Sequence, residues 1–218
     1  MTEAAYRTGD SVLAVRSLSY GTPLGRPLID NLAFTLRKGQ IGLVTGPNGI
    51  GKSTLLGIIL GAHKPLSGEA VTSVRRRHIG YLPQIQNKSF HVPLLLREVI
   101  DFARPGPLSP EWDEDLRHTQ LLSPSQLGCA WNKASGGERQ KSLVTMTLMS
   151  QSPLILLDEP LNHLDKVGEQ QFASALAYAT QVRQKTILIV SHGADLRDIL
   201  GDTVVPIPLQ TFAARGPR

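Results

Sequence analysis

The sequence predicts an α/β fold in which helices cover a mainly parallel sheet and a helical subdomain is inserted into the chain. The apolar runs at residues 41–45, 154–157 and 186–190 are almost continuously aliphatic, which is typical of parallel strands that are buried on both faces. A segment with helical periodicity follows each of them, as expected of β-α units. Between residues 92 and 122 the pattern becomes helical on both sides of a proline-rich stretch, which predicts the inserted helices.

The remaining elements follow from the same criteria, short aliphatic or β-branched runs for strands and longer periodic segments for helices. Besides the three runs above, strands are predicted at residues 12–18, 32–36 and 204–207. Helices are predicted at residues 51–61, 92–103, 111–122, 137–150, 166–181 and 194–200. We predict a single domain over residues 1–218, with core parts at about 1–88 and 151–218 and a helical subdomain at about 89–150.

The composition is that of an ordinary globular protein, and it excludes several classes of protein. The 218 residues are 41% hydrophobic and 19% charged, which excludes a disordered or a fibrous chain. Cys129 is the only cysteine, so an intrachain disulfide and a cysteine-based zinc site are excluded and a reducing compartment is expected. The formal net charge of +5 is compatible with phosphate ligands, nucleic acid or an anionic membrane surface.

The apolar stretches of the sequence are short. The longest strongly apolar stretch, residues 55–60, is far below the roughly 20 residues that a membrane-spanning helix needs. Residues 1–10 lack the apolar region of a secretory signal. We therefore expect a chain that is neither secreted nor membrane-spanning.

The strongest functional signal is a glycine-rich loop between the strand predicted at residues 41–45 and the helix predicted at residues 51–61. The loop matches the phosphate-binding pattern Gly-x-x-x-x-Gly-Lys-Ser and has the strand-loop-helix context that this motif requires. Backbone N–H groups of such a loop bind phosphate oxygens, while Lys52 neutralises phosphate charge and Ser53 is a predicted magnesium ligand. The predicted nucleotide-binding residues of this segment are Gly46, Pro47, Asn48, Gly49, Ile50, Gly51, Lys52, Ser53 and Thr54.

A pair of acidic residues follows the strand predicted at residues 154–157. Asp158 and Glu159 are expected at the carboxyl end of the strands, where ligands of open α/β sheets bind. Beside the phosphate loop, Asp158 can hold magnesium and Glu159 can polarise an attacking water molecule. The loop and the acidic pair together predict a P-loop NTPase core that binds a nucleoside triphosphate and Mg²⁺.

One further motif narrows the class of NTPase. Residues 134–140 read Ala-Ser-Gly-Gly-Glu-Arg-Gln, which resembles the signature of ABC ATPases, usually Leu-Ser-Gly-Gly-Gln. The resemblance to the nucleotide-binding domain of this family covers nearly the whole chain, and it implies the family's fold, with an antiparallel β region beside the parallel core. Four further residues resemble landmarks of the family. Tyr20 matches the aromatic residue that stacks on adenine, and Gln84 matches the glutamine of the Q-loop. Asp165 lies in a segment like the D-loop, and His192 matches the switch histidine.

The resemblance implies that the nucleotide is shared between two subunits. Ser135, Gly136 and Gly137 lie at the start of the helix predicted from residue 137, and in the family this site faces the γ-phosphate on a second subunit. The resemblance also implies that Asp165 of the D-loop is one of the nucleotide-binding residues. A head-to-tail dimer with two ATP molecules at its interface is therefore implied. Glu138 replaces the usual glutamine, and we expect this variation to be tolerated.

The resemblance also assigns catalytic and metal-binding roles. Glu159, His192 and Gln84 are the implied catalytic residues, and Ser53, Asp158 and Gln84 are the implied magnesium ligands. Family members on short chains of this kind power a separate membrane subunit. We therefore expect a polytopic membrane partner, a peripheral location on the cytoplasmic face of the membrane, and no nucleic-acid partner.

The segments in and around these motifs indicate which subfamily of ABC ATPases the chain resembles. Residues 81–84, 90–93, 96–100 and 162–165 look most like the ATPase subunits of zinc, manganese and iron-chelate importers. A small exporter of the haem-exporter type and a soluble ATPase of the iron–sulfur assembly type are the alternatives. The apolar residues Phe90 and 94–96 are candidates for the surface that meets the membrane subunit.

Overall fold

The computed structural model describes residues 11–21, 27–84, 94–106, 111–192, 195–200 and 203–210. The strands are β1 (Ser11–Gly21), β2 (Pro27–Arg37), β3 (Ile41–Thr45), β4 (Ser67–Thr72), β5 (Ile79–Leu82), β6 (Leu154–Asp158), β7 (Thr186–Ser191) and β8 (Val204–Pro208). The helices are α1 (Lys52–Leu60), α2 (Leu96–Asp101), α3 (Glu111–Thr119), α4 (Pro124–Leu127), α5 (Gly136–Met149), α6 (Lys166–Ala177) and α7 (Asp195–Leu200).

The described strands form two sheets. One is antiparallel, with the order β2-β1-β4. The other has the order β5-β6-β7-β3-β8, and its neighbouring strands are all parallel. The predicted α/β fold with a mainly parallel sheet and an antiparallel β region is therefore confirmed. Because the strands are parallel, the carboxyl ends of β3, β5, β6 and β7 lie at one edge of the sheet.

Both faces of the parallel sheet are buried, which explains its aliphatic runs. Since side chains alternate across a strand, Leu156 and Leu188 pack with α1 and the antiparallel sheet on one face. Leu157 and Ile189 pack against α5 and α6 on the other face, around the fully buried Phe172. The sheet is thus a rigid layer that holds the loops at its carboxyl edge in place.

The helical insertion lies between β5 and β6. The regular elements among its described residues are helices, α2 to α5, and loops and an isolated bridge between Leu95 and Ala130 join them. Trp131, 1% exposed, and Trp112, 2% exposed, each centre a small apolar cluster there. The insertion thus has apolar packing of its own, while the predicted boundaries near residues 88 and 150 stay predictions.

Several strands and helices differ from the predicted ones in their bounds. β2 begins at Pro27 rather than near residue 32. β4 and β5 were not predicted. The residues of β4 are mostly exposed and only two of them are apolar, and β5 has only four residues. The helix predicted at residues 166–181 ends at Ala177 and continues as the π-helical turn Tyr178–Val182. The helix predicted from residue 92 begins at Leu96 in the described part of the chain.

Lys185 ties the start of β7 to the loop that precedes β6. Its side chain is buried, and its Nζ donates to the carbonyl oxygen of Ser150 and, at 3.4 Å, to that of Ser152. Burial, with a smaller contribution from the charge of Arg183, lowers the pKa of the Lys185 ammonium from 10.5 to about 8. The native protein therefore releases this proton at a lower pH than the unfolded chain does.

We expect the contribution of Lys185 to the free energy of unfolding to rise with pH between about 8 and 10.5. In that range the unfolded chain holds the proton and the native protein does not, so stability increases by up to about 1.4 kcal/mol per pH unit. Urea unfolding of the wild type and of Lys185→Met between about pH 7.5 and 9.5 measures the difference. Parallel pH profiles for the two proteins would contradict the assignment.

Candidate ATP-binding and hydrolysis site

The phosphate loop joins β3 to α1 and depends on glycine at a tight position. Gly51 has a φ of +103°, and a Cβ there would lie 2.9 Å from the ring of Tyr20 and 3.0 Å from Leu28. Only glycine fits this combination of left-handed backbone and close packing without strain. The close approach of β1 and β2 thus fixes the end of the loop and the start of α1, where Ser53 and Thr54 form the first helical turn.

Lys52 is enclosed by its own loop. It is 7% exposed, and its Nζ donates hydrogen bonds to the carbonyl oxygens of Gly46 at 2.9 Å and Pro47 at 3.3 Å. The ammonium is therefore positioned at the centre of the residues that were predicted to surround the phosphates. A buried cation held this way is chemically suited to phosphate oxygens, and its role in binding them stays a prediction.

Asp158, the last residue of β6, offers a ligand position for a cation. It is 3% exposed, and its Oδ1 has no hydrogen-bond partner among the described residues. Burial raises the pKa of its carboxyl, and a hydrogen bond with the Ser53 side chain opposes that rise. An orphaned carboxylate oxygen beside a hydroxyl matches the oxygen ligands that Mg²⁺ prefers. Ser53 and Asp158 therefore fit magnesium.

Glu159 lies between a cation and an imidazole. Its backbone has a φ of +51°, and its N–H donates to the carbonyl oxygen of Val190 at 2.9 Å. Its Oε1 lies 3.8 Å from Nζ of Lys52, and its Oε2 is joined to Nδ1 of His192 by a 2.7 Å hydrogen bond. The structure thus brings three of the predicted residues together, with Glu159 buried and His192 half-exposed.

Gln84 lies at the same edge of the sheet. It follows β5, whose last residue Leu82 is paired with Leu157 of β6, directly before Asp158. Its side chain is exposed. A role for Gln84 in metal binding or catalysis stays a prediction.

Tyr20 does not present its ring to solvent. It is 1% exposed and belongs to the apolar core between the antiparallel sheet and α1. Burial raises the pKa of its hydroxyl, which has no hydrogen-bond partner among the described residues. Stacking of adenine on this ring therefore requires the side chains that cover it to move first.

The signature residues lie at the start of α5. Ser135 is the N-cap residue, and its Oγ accepts a hydrogen bond from the N–H of Glu138 at 3.2 Å. A Cβ on Gly137 would lie 2.8 Å from the carbonyl oxygen of His163, so this position requires glycine. Gly136 packs on the His163 ring. The signature and the D-loop therefore form one packed unit.

The D-loop is fixed from both ends. Asp165 is the N-cap residue of α6, and its Oδ1 accepts from the N–H of Gly168 at 2.8 Å. Gln140 of α5 donates to the carbonyl oxygen of Pro160 at 2.9 Å. Asp165 thus has a structural role in this chain, and its contact with nucleotide stays a prediction.

The signature unit borders a cavity of its own, separate from Lys52. The cavity has a volume of about 530 Å³, and the described residues that line it include none from the phosphate loop. A single chain therefore presents the phosphate loop and the signature residues on different elements. The lining residues are Gln126, Ser135, Gly137, Glu138, Lys141, His163, Leu164 and Asp165.

Sequence reasoning did not assign a function to Glu138 or His163, which the structure places in contact with the signature. The Ser-x-x-Glu spacing of Ser135 and Glu138 is a capping-box pattern and could have identified the first of them. No pattern in the sequence indicates the second, because its contact depends on a left-handed backbone, with a φ of +70° at His163.

A family model described as ABC transporter matches residues 29–162, a stretch that holds the phosphate loop, the signature and the acidic pair. The chain belongs to the ABC transporter family. It is an ATP-binding subunit of that family, whose members are ATPases that drive transport. The predicted family, its ATPase activity and the predicted fold are therefore confirmed.

Relatives within the ABC transporter family are similar over most of the chain. The zinc import ATP-binding protein ZnuC of Rickettsia bellii is 34% identical over 169 residues, which are 75% of this chain and 69% of the relative. The molybdate import ATP-binding protein MolC of Haemophilus influenzae is 30% identical over 191 residues, 84% of this chain and 74% of the relative.

A solved structure is similar as well. It comes from an inward-facing transporter described as being of the metal-chelate type, with a TM-score of 0.73 and 27% identity, and covers 91% of this chain and 80% of the other. The likeness to a bacterial Atm1-family ABC exporter with ATP bound has a TM-score of 0.72 at 22% identity and covers 94% of this chain and 38% of the other. The latter likeness concerns the fold alone.

Two findings bear on the membrane. In the described part of the chain, no helix has the length and apolar character that crossing a bilayer requires. Of the candidates for a membrane-subunit surface, Leu96 is fully buried and Leu95 is 39% exposed, while Leu94 packs against the Trp131 cluster and Phe90 lies outside the described residues. Leu95 alone among the described candidates is therefore open to a partner.

Proposed function

We propose that this ABC transporter subunit binds ATP and Mg²⁺ in a head-to-tail dimer and powers metal or metal-chelate import through a separate membrane subunit. The single observation that supports it best is that Lys52 and His192 both contact the buried carboxylate of Glu159. A cation, a carboxylate and an imidazole thus lie together at one edge of the sheet, as binding and hydrolysis of a triphosphate would require.

Each residue of this arrangement has a chemical task in the proposal. Lys52 binds the β- and γ-phosphates, and Ser53 and Asp158, joined by Gln84, hold Mg²⁺. Bound magnesium would neutralise phosphate charge at this position. Glu159 accepts a hydrogen bond from the attacking water and polarises it.

His192 acts on Glu159 and on the nucleotide. Its 2.7 Å hydrogen bond to Oε2 orients the carboxylate, and its half-exposed ring can turn toward the γ-phosphate. The hydrogen bond from the N–H of Glu159 to Val190 fixes the backbone from which both side chains are aimed. Such positioning avoids reorganisation during the reaction.

The dimer is supported by the separation of the phosphate loop from the signature residues. Ser135 and Gly137 border a cavity that contains no phosphate-loop residue, so a γ-phosphate bound at Lys52 would meet them only on a second copy. The N-terminus of α5, with its free N–H groups, suits an anionic ligand there. We infer a peripheral location on the cytoplasmic face of the membrane, next to the membrane subunit.

The proposed cargo rests on the relatives. The ZnuC protein of Rickettsia bellii is named for zinc import and the similar solved transporter for metal chelates. Transition-metal import is the cargo class that these names share with the subfamily expected from the sequence. The ATPase subunit supplies the driving force, and the membrane subunit carries the specificity.

Purification of the tagged chain from detergent-solubilised membranes tests the proposal. We expect a polytopic membrane protein to co-purify, and we expect cells that make both subunits to accumulate radioactive zinc, manganese or an iron chelate. Lys52→Ala is the control, since it keeps the complex and abolishes uptake. Recovery without any polytopic partner would instead favour the soluble iron–sulfur assembly type, and haem efflux would favour the exporter type.

A further inference from the structure

Glu138 holds the signature serine with both carboxylate oxygens engaged. The Oε2 atom accepts hydrogen bonds from the hydroxyl and from the backbone N–H of Ser135, both at 2.8 Å. The Oε1 atom accepts one from Nε2 of Gln126 at 3.2 Å. The carboxylate is therefore fixed on the two donors of Ser135 that a phosphate oxygen would use.

The carboxylate also carries charge into the signature cavity. Hydrogen bonds from the backbone and then the side chain of Ser135 lower the pKa of Glu138, so the group is ionised at neutral pH. Within the lining of the same cavity, Asp165 adds a second negative charge, and Lys141 supplies the positive charge while its Nζ donates to Gln171. A phosphate group that enters this cavity therefore finds the hydroxyl and the N–H of Ser135 already bonded to a carboxylate.

We propose that Glu138 is a positioning residue that restrains ATP-dependent pairing of two chains. Its carboxylate competes with the partner-bound γ-phosphate for the hydroxyl and N–H of Ser135 and repels the phosphate charge. Pairing then requires Ser135 to leave Glu138. The inference rests on the proposed function, because it concerns the site that the proposed dimer completes.

If Glu138 only caps α5, its amide variant should leave the pairing of two chains unchanged. Ser135 and Glu138 form a capping box, a motif in which glutamine serves as well as glutamate. Glu138→Gln therefore keeps a carbonyl oxygen for the cap, removes the charge, and replaces the oxygen that accepts from Gln126 by an amide group that the Gln126 amide can meet by turning over. Because an acidic residue at a helix N-terminus is favourable, the variant should unfold at the same or a slightly lower temperature. A restraint on pairing, by contrast, is relieved by this variant.

The chain offers a matched control in α2. Glu98 is exposed, and its Oε2 accepts from the N–H of the N-cap residue Leu95 at 2.7 Å, the same backbone contact that Glu138 makes with Ser135. Glu98→Gln makes the same charge change at a helix N-terminus and is absent from the lining of the signature cavity. Any general effect of net charge or helix capping therefore appears in this variant as well.

The experiment measures pairing in a background that retains ATP. Glu159→Gln, Glu159→Gln/Glu138→Gln and Glu159→Gln/Glu98→Gln are compared by light scattering over a range of protein concentrations with MgATP. We expect the dimer dissociation constant to fall by about tenfold with Glu138→Gln and to stay unchanged with Glu98→Gln. Nucleotide affinity of the unpaired chains, measured with labelled ADP, should be the same in all three.

The outcomes separate this inference from the proposed function. If the Glu159→Gln chain pairs and Glu138→Gln does not tighten the pairing, the restraint is overturned and the dimer stands. If none of the variants pairs although all of them bind ATP, the shared site of the proposed function is overturned together with the restraint. Tighter pairing in both amide variants would assign the effect to charge in general and overturn the role of Glu138.

Discussion

We expect Glu159→Gln to lower the rate of ATP hydrolysis by at least about 100-fold while ATP stays bound. The amide keeps the size of the side chain and a carbonyl oxygen, but it cannot polarise water as the carboxylate does. Loss of the carboxylate also frees the Lys52 ammonium to bind phosphate. In the wild type its Nζ lies 3.8 Å from the Glu159 carboxylate, and both side chains are less than 9% exposed. ATP affinity should therefore stay the same or increase.

Single-turnover hydrolysis and equilibrium binding of labelled ATP separate the two effects. Size-exclusion chromatography with light scattering adds the quaternary state, since the variant should pass from monomer to dimer when ATP is added. Ser135→Arg in the same background should block that dimer. Glu69→Gln, at an exposed ion pair with Arg16, is the control for net charge. Wild-type hydrolysis in the Glu159→Gln protein would rule out Glu159 as the catalytic carboxylate.

The second large effect concerns Lys52→Ala, which should weaken ATP binding by at least about tenfold and abolish measurable hydrolysis. A charge-assisted hydrogen bond contributes about 1.5–3 kcal/mol, and about 1.4 kcal/mol corresponds to a tenfold change in affinity. The substitution also leaves the buried carboxylate of Glu159 without its cation. That carboxylate would then repel the phosphates.

Equilibrium binding of labelled ATP is the decisive measurement for Lys52→Ala, with circular dichroism to show that the variant is folded. Lys64→Ala is the matched control, because this exposed lysine lies just beyond α1. A folded Lys52→Ala protein with unchanged affinity and turnover would refute the assignment of the phosphate loop.

Four of the five described strands of the parallel sheet, all except β5, and the sequence positions of the site motifs were predictable because both depend on short-range patterns. A run such as residues 154–157 must be aliphatic to be buried on both faces, and the acidic pair follows directly. β4 and the π-helical turn after Ala177 were not predictable in this way. The polar residues of β4 pair with β1 at long range, and such pairing leaves no local pattern.

The contacts within the site were less predictable than its residues. The family pattern indicates Tyr20 as a partner for adenine, yet packing against Gly51 and Leu28 places the ring in the core. Likewise, the motif indicates that Lys52 binds phosphate, but the bonds that it makes to its own loop depend on the three-dimensional course of the loop. These contacts require coordinates because they join residues through backbone geometry rather than through spacing.

The hydrogen bonds from Lys52 to the carbonyl oxygens of Gly46 and Pro47 bear on the kinetics of nucleotide entry. An arriving triphosphate does not meet a bare ammonium but one that peptide oxygens already solvate. Binding is therefore an exchange, in which phosphate oxygens displace these carbonyl groups as the loop rearranges. We therefore expect the rate of nucleotide entry to depend on how readily the loop releases these two hydrogen bonds.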